Sequence, residues 1–78
     1  MTQASLSDAA PGDRCVVLEI AADPAEIRSR LYALGIIPGS VLEILRFAPL
    51  GDPMQVKVAG SFISIRKAEA AIISVEIQ

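Results

Sequence analysis

Apolar and β-branched residues alternate from Arg14 to Ala21, with Val16, Leu18 and Ile20 on one face and Cys15, Val17 and Glu19 on the other. That period of two predicts a strand. Asp23-Pro24-Ala25-Glu26 then predicts a helix start, with Asp23 as N-cap, Pro24 at the first helical position and Glu26 reaching back as in a capping box. Ile27, Leu31 and Leu34 recur at helical spacing as the buried stripe of a short helix, Arg28 and Arg30 point away, and Gly35 supplies the left-handed C′ residue.

Pro38-Gly39 makes a turn into a second strand, Ser40 to Phe47, where Val41, Leu42, Ile44 and Leu45 leave both faces apolar. Ala48-Pro49-Leu50-Gly51-Asp52-Pro53 is a loop stiffened by two prolines, and Met54 to Ala59 alternates Val56 and Val58 with Gln55 and Lys57 as a third strand. A tight hairpin turn at Gly60-Ser61 leads into Phe62 to Arg66, a strand with Ile63 and Ile65 on one face. Lys67 to Ala70 is a helical turn, and Ala71 to Ile77 is the last strand, with Ile73, Val75 and Ile77 inward. Before all of these stand Leu6, a helical turn around Ser7 to Ala10 and the turn Pro11-Gly12, and the first residues, Met1 to Ser5, are expected to fray.

About five short strands with one helix inserted after the first predict a mainly β fold, an antiparallel sheet curled into a small barrel. The helical turn before the last strand favours an SH3-like barrel. The 78 residues leave room for one domain, 1–78, and 53% of them are hydrophobic, so some apolar surface is expected to stay available to a partner.

Seven Lys and Arg against nine Asp and Glu give a net charge of −2, which offers no field for nucleic acid or anionic lipid. Cys15 stands alone and histidine is absent, so an internal disulfide, the usual metal ligand and the usual catalytic base are all missing. Glu19, Asp23, Glu26, Glu43, Asp52, Glu69 and Glu76 are scattered singly along the sequence. No enzyme activity, cofactor or dedicated metal site is expected of such a chain, and Cys15 reads as a small half-buried hydrophobe. Arg28, Arg30, Arg46 and Arg66 could in principle be donated to a GTPase, but no pattern singles one out from ordinary surface charges. No basic leader or membrane-length apolar run is present, so a soluble, cytoplasmic protein is expected.

Two segments remain as candidate docking surface: the helix end Leu31 to Gly39 and the loop Ala48 to Pro53. Rigid apolar turns lose little entropy on binding, although the same residues serve equally well as turns closing a core. Their order, Leu34-Gly35-Ile36-Ile37-Pro38-Gly39, then Ala48-Pro49-Leu50-Gly51-Asp52-Pro53, then Ile65-Arg66-Lys67-Ala68-Glu69-Ala70-Ala71-Ile72, resembles the ferrous iron transport protein A family, FeoA, from about Leu6 to Glu76.

The resemblance implies an SH3-like barrel and a small cytosolic accessory protein acting with FeoB, a membrane ferrous iron transporter with a cytosolic GTPase domain. On that reading the partner-binding residues are Leu31, Leu34, Ile36, Pro38, Pro49, Leu50, Asp52 and Pro53. The protein is then peripheral to the inner membrane when bound. FeoA-like domains are also similar to the C-terminal barrel of metal-dependent repressors, so an interaction domain serving a repressor is the alternative. With no helix-turn-helix ahead of Leu6, the free-standing accessory protein is the preferred expectation.

Overall fold

A computed structural model describes residues 2–78. Six antiparallel strands form one sheet: β1 Thr2–Ser5, β2 Arg14–Ile20, β3 Val41–Phe47, β4 Met54–Val58, β5 Ser61–Ile65 and β6 Ile73–Ile77. The spatial order is β1-β6-β2-β3-β4-β5. A helix, α1 Ala25–Ala33, lies between β2 and β3, and a four-residue helix, α2 Lys67–Ala70, lies between β5 and β6. The sheet curls around one core but does not close, because among the described residues β1 and β5 each lack a neighbour on one side. "Barrel" is therefore a loose description of an SH3-like open sheet.

The sixth strand is the part expected to fray. Thr2–Ser5 pairs with β6, with Thr2 opposite Ile77 and Ser5 opposite Ser74, while Met1 lies outside the described residues. Ser5 then caps a 3-10 turn, Leu6–Asp8, by accepting from the Ser7 N–H at 3.3 Å, and its hydroxyl donates to the Ala70 carbonyl at 3.2 Å. Leu6, fully buried, anchors this start in the core.

The alternation in β2 is interrupted. A register shift between Val17 and Glu19 inserts an extra residue against β6, so Cys15, Val17 and Ile20 face inward while Leu18 turns outward at 38% exposure. Cys15 is wholly buried rather than half-buried. The two apolar faces of β3 resolve the same way: Leu42 and Ile44 enter the core, and Val41 and Leu45 stand on the outer face.

Helix α1 starts one residue later than the capping pattern predicts. Pro24, joined to Asp23 by a cis bond, keeps an extended ψ of 139° and occupies the N-cap position itself, with no side-chain cap. Asp23 is thus one place too early to cap the first turn, and the Glu26 capping box does not form. Leu31 is fully buried and Ile27 packs against the core, but Leu34 is 37% exposed. The stripe is completed beyond the helix by Ile36, fully buried after the chain reverses at Gly35. The β4–β5 turn also moves by one residue, to Ala59-Gly60, both at positive φ as a two-residue type I′ hairpin requires.

Candidate interaction surface

The end of α1 is a rigid ledge. Gly35 N–H donates to the Tyr32 carbonyl at 3.0 Å and Ile36 N–H to the Leu31 carbonyl at 2.9 Å, the two bonds of a Schellman motif, with Leu31 and Ile36 as its apolar contact. Pro38-Gly39 forms the centre of a turn closed by Ser40 N–H to the Ile37 carbonyl at 2.9 Å. Ser40 Oγ accepts from Ile37 N–H and donates to the Gly35 carbonyl. Two further bonds, Gly39 N–H to the Val17 carbonyl at 2.7 Å and Val17 N–H to the Ser40 carbonyl at 2.8 Å, fasten the ledge to β2.

Leu34, Ile37 and Pro38 are exposed on this ledge. Leu31 and Ile36, expected to touch a partner, lie beneath it at 0% exposure. Their packing holds the turn in shape, and neither can reach a partner without opening the core. Arg28 stacks over the exposed Tyr32 ring, 4.8 Å from its centroid.

The loop between β3 and β4 is held as firmly. Ala48 N–H donates to the Pro53 carbonyl at 2.9 Å, and Gly51 N–H to the Ala48 carbonyl at 2.7 Å, which presents Leu50 at the tip. Leu50 is 96% exposed. Pro49 is exposed and Pro53 half-buried, and both line a groove of about 370 Å³ with Arg46, Phe47, Ala48 and Gln55. Asp52 is exposed, but one carboxylate oxygen accepts the Lys67 N–H at 2.9 Å, so it also serves the first turn of α2.

Helix α2 ties the two segments into the molecule separately. Its buried Glu69 accepts the Arg66 N–H at 2.9 Å and pairs with Arg30 of α1, an arginine expected to point freely into solvent. The loop reaches α2 through Asp52. Among the described residues, no hydrogen bond joins the ledge directly to the loop.

One exposed residue was missed as a candidate: Phe62 of β5, 74% exposed, with Lys57 Nζ 6.0 Å from its ring centroid. The signal was present, since placing Ile63 and Ile65 on the inner face puts Phe62 on the outer one.

The interior offers no obvious reactive group. Burial pushes the Cys15 thiol up from its ordinary value, and the charge of Asp13 adds to the effect. It therefore stays a protonated thiol, a poor nucleophile and metal ligand. Among the described residues no group of three or more Cys, Asp or Glu side chains is placed to hold a metal ion, and no helix is long and apolar enough to cross a membrane.

A curled antiparallel sheet with a short helix after β2 and a helical turn before the last strand defines a small SH3-like β domain. Residues 4–77 match the model of the FeoA domain, and the chain belongs to the FeoA family. The FeoA protein of Chlorobium tepidum is 46% identical, with a TM-score of 0.84 over 95% of this chain and 70% of that one. A Porphyromonas gingivalis relative, named an Fe(2+) transport protein A/Fe(2+) transporter FeoB fusion protein, is 29% identical over 92% of this chain, which spans 8% of that protein's length. A manganese-dependent transcriptional repressor shares the fold, with a TM-score of 0.88 at 18% identity over 97% of this chain and 42% of the repressor.

Proposed function

We propose that this chain is a non-enzymatic accessory module of ferrous iron uptake that docks on the cytosolic part of a FeoB-type transporter. On this reading it acts in the cytoplasm and is peripheral to the inner membrane when bound. The observation that carries the reading is the fusion relative, in which a part similar to this chain and a FeoB transporter share one polypeptide. Fusion makes the two parts neighbours at high effective concentration, a useful arrangement if they work in contact.

The exposed groups on the ledge and loop supply the contact: Leu34, Pro38, Pro49 and Leu50, with Pro53 at the edge of the groove. Leu50 is the anchor. An apolar side chain 96% exposed on a hydrogen-bonded turn contributes almost nothing to its own core, whereas burial in a partner's pocket makes it a binding hot spot. The likeness to a metal-dependent repressor rests on fold alone and names no second partner.

Calorimetric titration of the purified chain with the isolated cytosolic region of a FeoB-type transporter tests the proposal. Saturable binding with one-to-one stoichiometry is expected. Absence of heat and of co-elution at high micromolar concentration contradicts it.

A further inference from the structure

Among the described residues, strand β5 is one of two strands with no neighbour on one side. The two-residue turn at Ala59-Gly60 makes Val58 and Ser61 a hydrogen-bonded pair. Alternation along the ladder then directs the N–H and C=O groups of Ser61, Ile63 and Ile65 toward β4, and those of Phe62 and Ser64 toward the open edge. Proteins commonly guard such an edge with lysine, proline, a bulge or a covering element. Ser61–Ile65 reads Ser-Phe-Ile-Ser-Ile, with no charge, no proline and no register shift against β4. The opposite edge, Thr2–Ser5, is small and polar, and Ser5 is already engaged by Ala70.

The geometry points to a second copy of this chain as the occupant of the β5 edge, forming a twofold dimer with one continuous sheet. The strand is complementary to itself about Ile63. With the axis at that residue, Phe62 lies opposite Ser64 of the second copy, and the reciprocal pair forms on the other side. Each pair exchanges both of its backbone hydrogen bonds, so the free N–H and C=O groups of Phe62 and Ser64 are all satisfied, and Ile63 faces its own counterpart in the non-bonded position between them.

Charge agrees with this register. The outer face carries a row Arg14, Glu43, Lys57 and Phe62 across β2, β3, β4 and β5, and a neighbouring row Arg46, Gln55 and Ser64. Apposition joins Lys57-Phe62 of one copy to Ser64-Gln55 of the other, so no like charges meet at the seam. The Phe62 ring, 74% exposed in the single chain, comes to lie across that seam. One short strand buries less area than a permanent interface, so the dimer is weak and exchanges rapidly.

Sedimentation equilibrium from low micromolar to millimolar concentration, with NMR amide exchange at both ends of the range, tests this directly. A monomer–dimer equilibrium is expected, in which the Phe62 and Ser64 amides gain at least about tenfold protection as the dimer forms. Phe62→Lys alters an exposed side chain but sets a second lysine opposite Lys57, so it should stay folded with a slightly lowered melting temperature while raising the dimer dissociation constant at least about tenfold. A chain that stays monomeric, that grows past the dimer, or that dimerises without protecting Phe62 and Ser64 overturns the proposal. So does a folded Phe62→Lys chain that dimerises as the wild type does.

Discussion

Gly35 is the residue on which the helix end depends. Its φ of 87° suits glycine, and a β-carbon built there meets no atom within 4 Å, so any penalty for a side chain comes from the backbone and not from crowding. Gly35→Val should therefore lower stability by about 1 to 3 kcal/mol, and Gly35→Asn by visibly less, because asparagine tolerates the left-handed region. Denaturant melts of both variants check this, and equal losses would contradict it. Cys15 gives a second residue-scale expectation. Its thiol is pushed above the ordinary 9.0, so the folded state keeps the proton to higher pH than the unfolded chain does. The associated stability is complete below 9.0 and is lost as pH rises through the raised folded value. Urea melts should show a larger alkaline loss for the wild type than for Cys15→Ala, each compared with its own stability at neutral pH. Parallel losses would contradict it.

At the scale of elements, the β4–β5 hairpin holds a local weakness. Ala59 sits at φ 50° in a turn that favours Asn-Gly, so Ala59→Asn should stabilise the chain by about 0.5 to 1 kcal/mol, read as a raised denaturation midpoint. A lowered midpoint would mean that the turn is not of this type. The α1–α2 tie gives an ordered pair of losses. Arg30 is 48% exposed in its side chain, so Arg30→Ala should cost about 1 kcal/mol or less, whereas Glu69→Ala also strips the Arg66 N–H of its acceptor and should cost about 1 to 3 kcal/mol. Equilibrium unfolding of the two variants checks that order, and a reversal would sink it. Elements of this kind were legible where local pattern decides them, as in β4, α2, β6 and the Gly35 stop. The bulge in β2 was not, because which residue is skipped depends on the pairing with β6, and pairing is not a local property. Strand β1 was missed for the same reason: Thr-Gln-Ala-Ser has no alternation of its own and is a strand only because β6 offers it an edge.

For the whole molecule, the mainly β, SH3-like architecture could be read from turn spacing, but the open sheet and its sixth strand could not. The candidate site was legible in part. Sequence separates apolar from polar residues but not ledge from support, so Leu31 and Ile36 looked like Leu34 and Leu50 until packing placed the first two at 0% exposure. What survives as surface is a small apolar set carried on two hydrogen-bonded turns, with Leu50 the most exposed large hydrophobic among the described residues. Leu50→Asp isolates that set, because a carboxylate at a solvated tip leaves the core untouched but is costly at the centre of an apolar contact. The decisive measurement is the affinity of Leu50→Asp for the cytosolic region of a FeoB-type transporter, taken with its melting temperature. Wild-type melting with binding weakened by several kcal/mol is the predicted result. A variant that melts like the wild type and still binds with wild-type affinity would contradict the account.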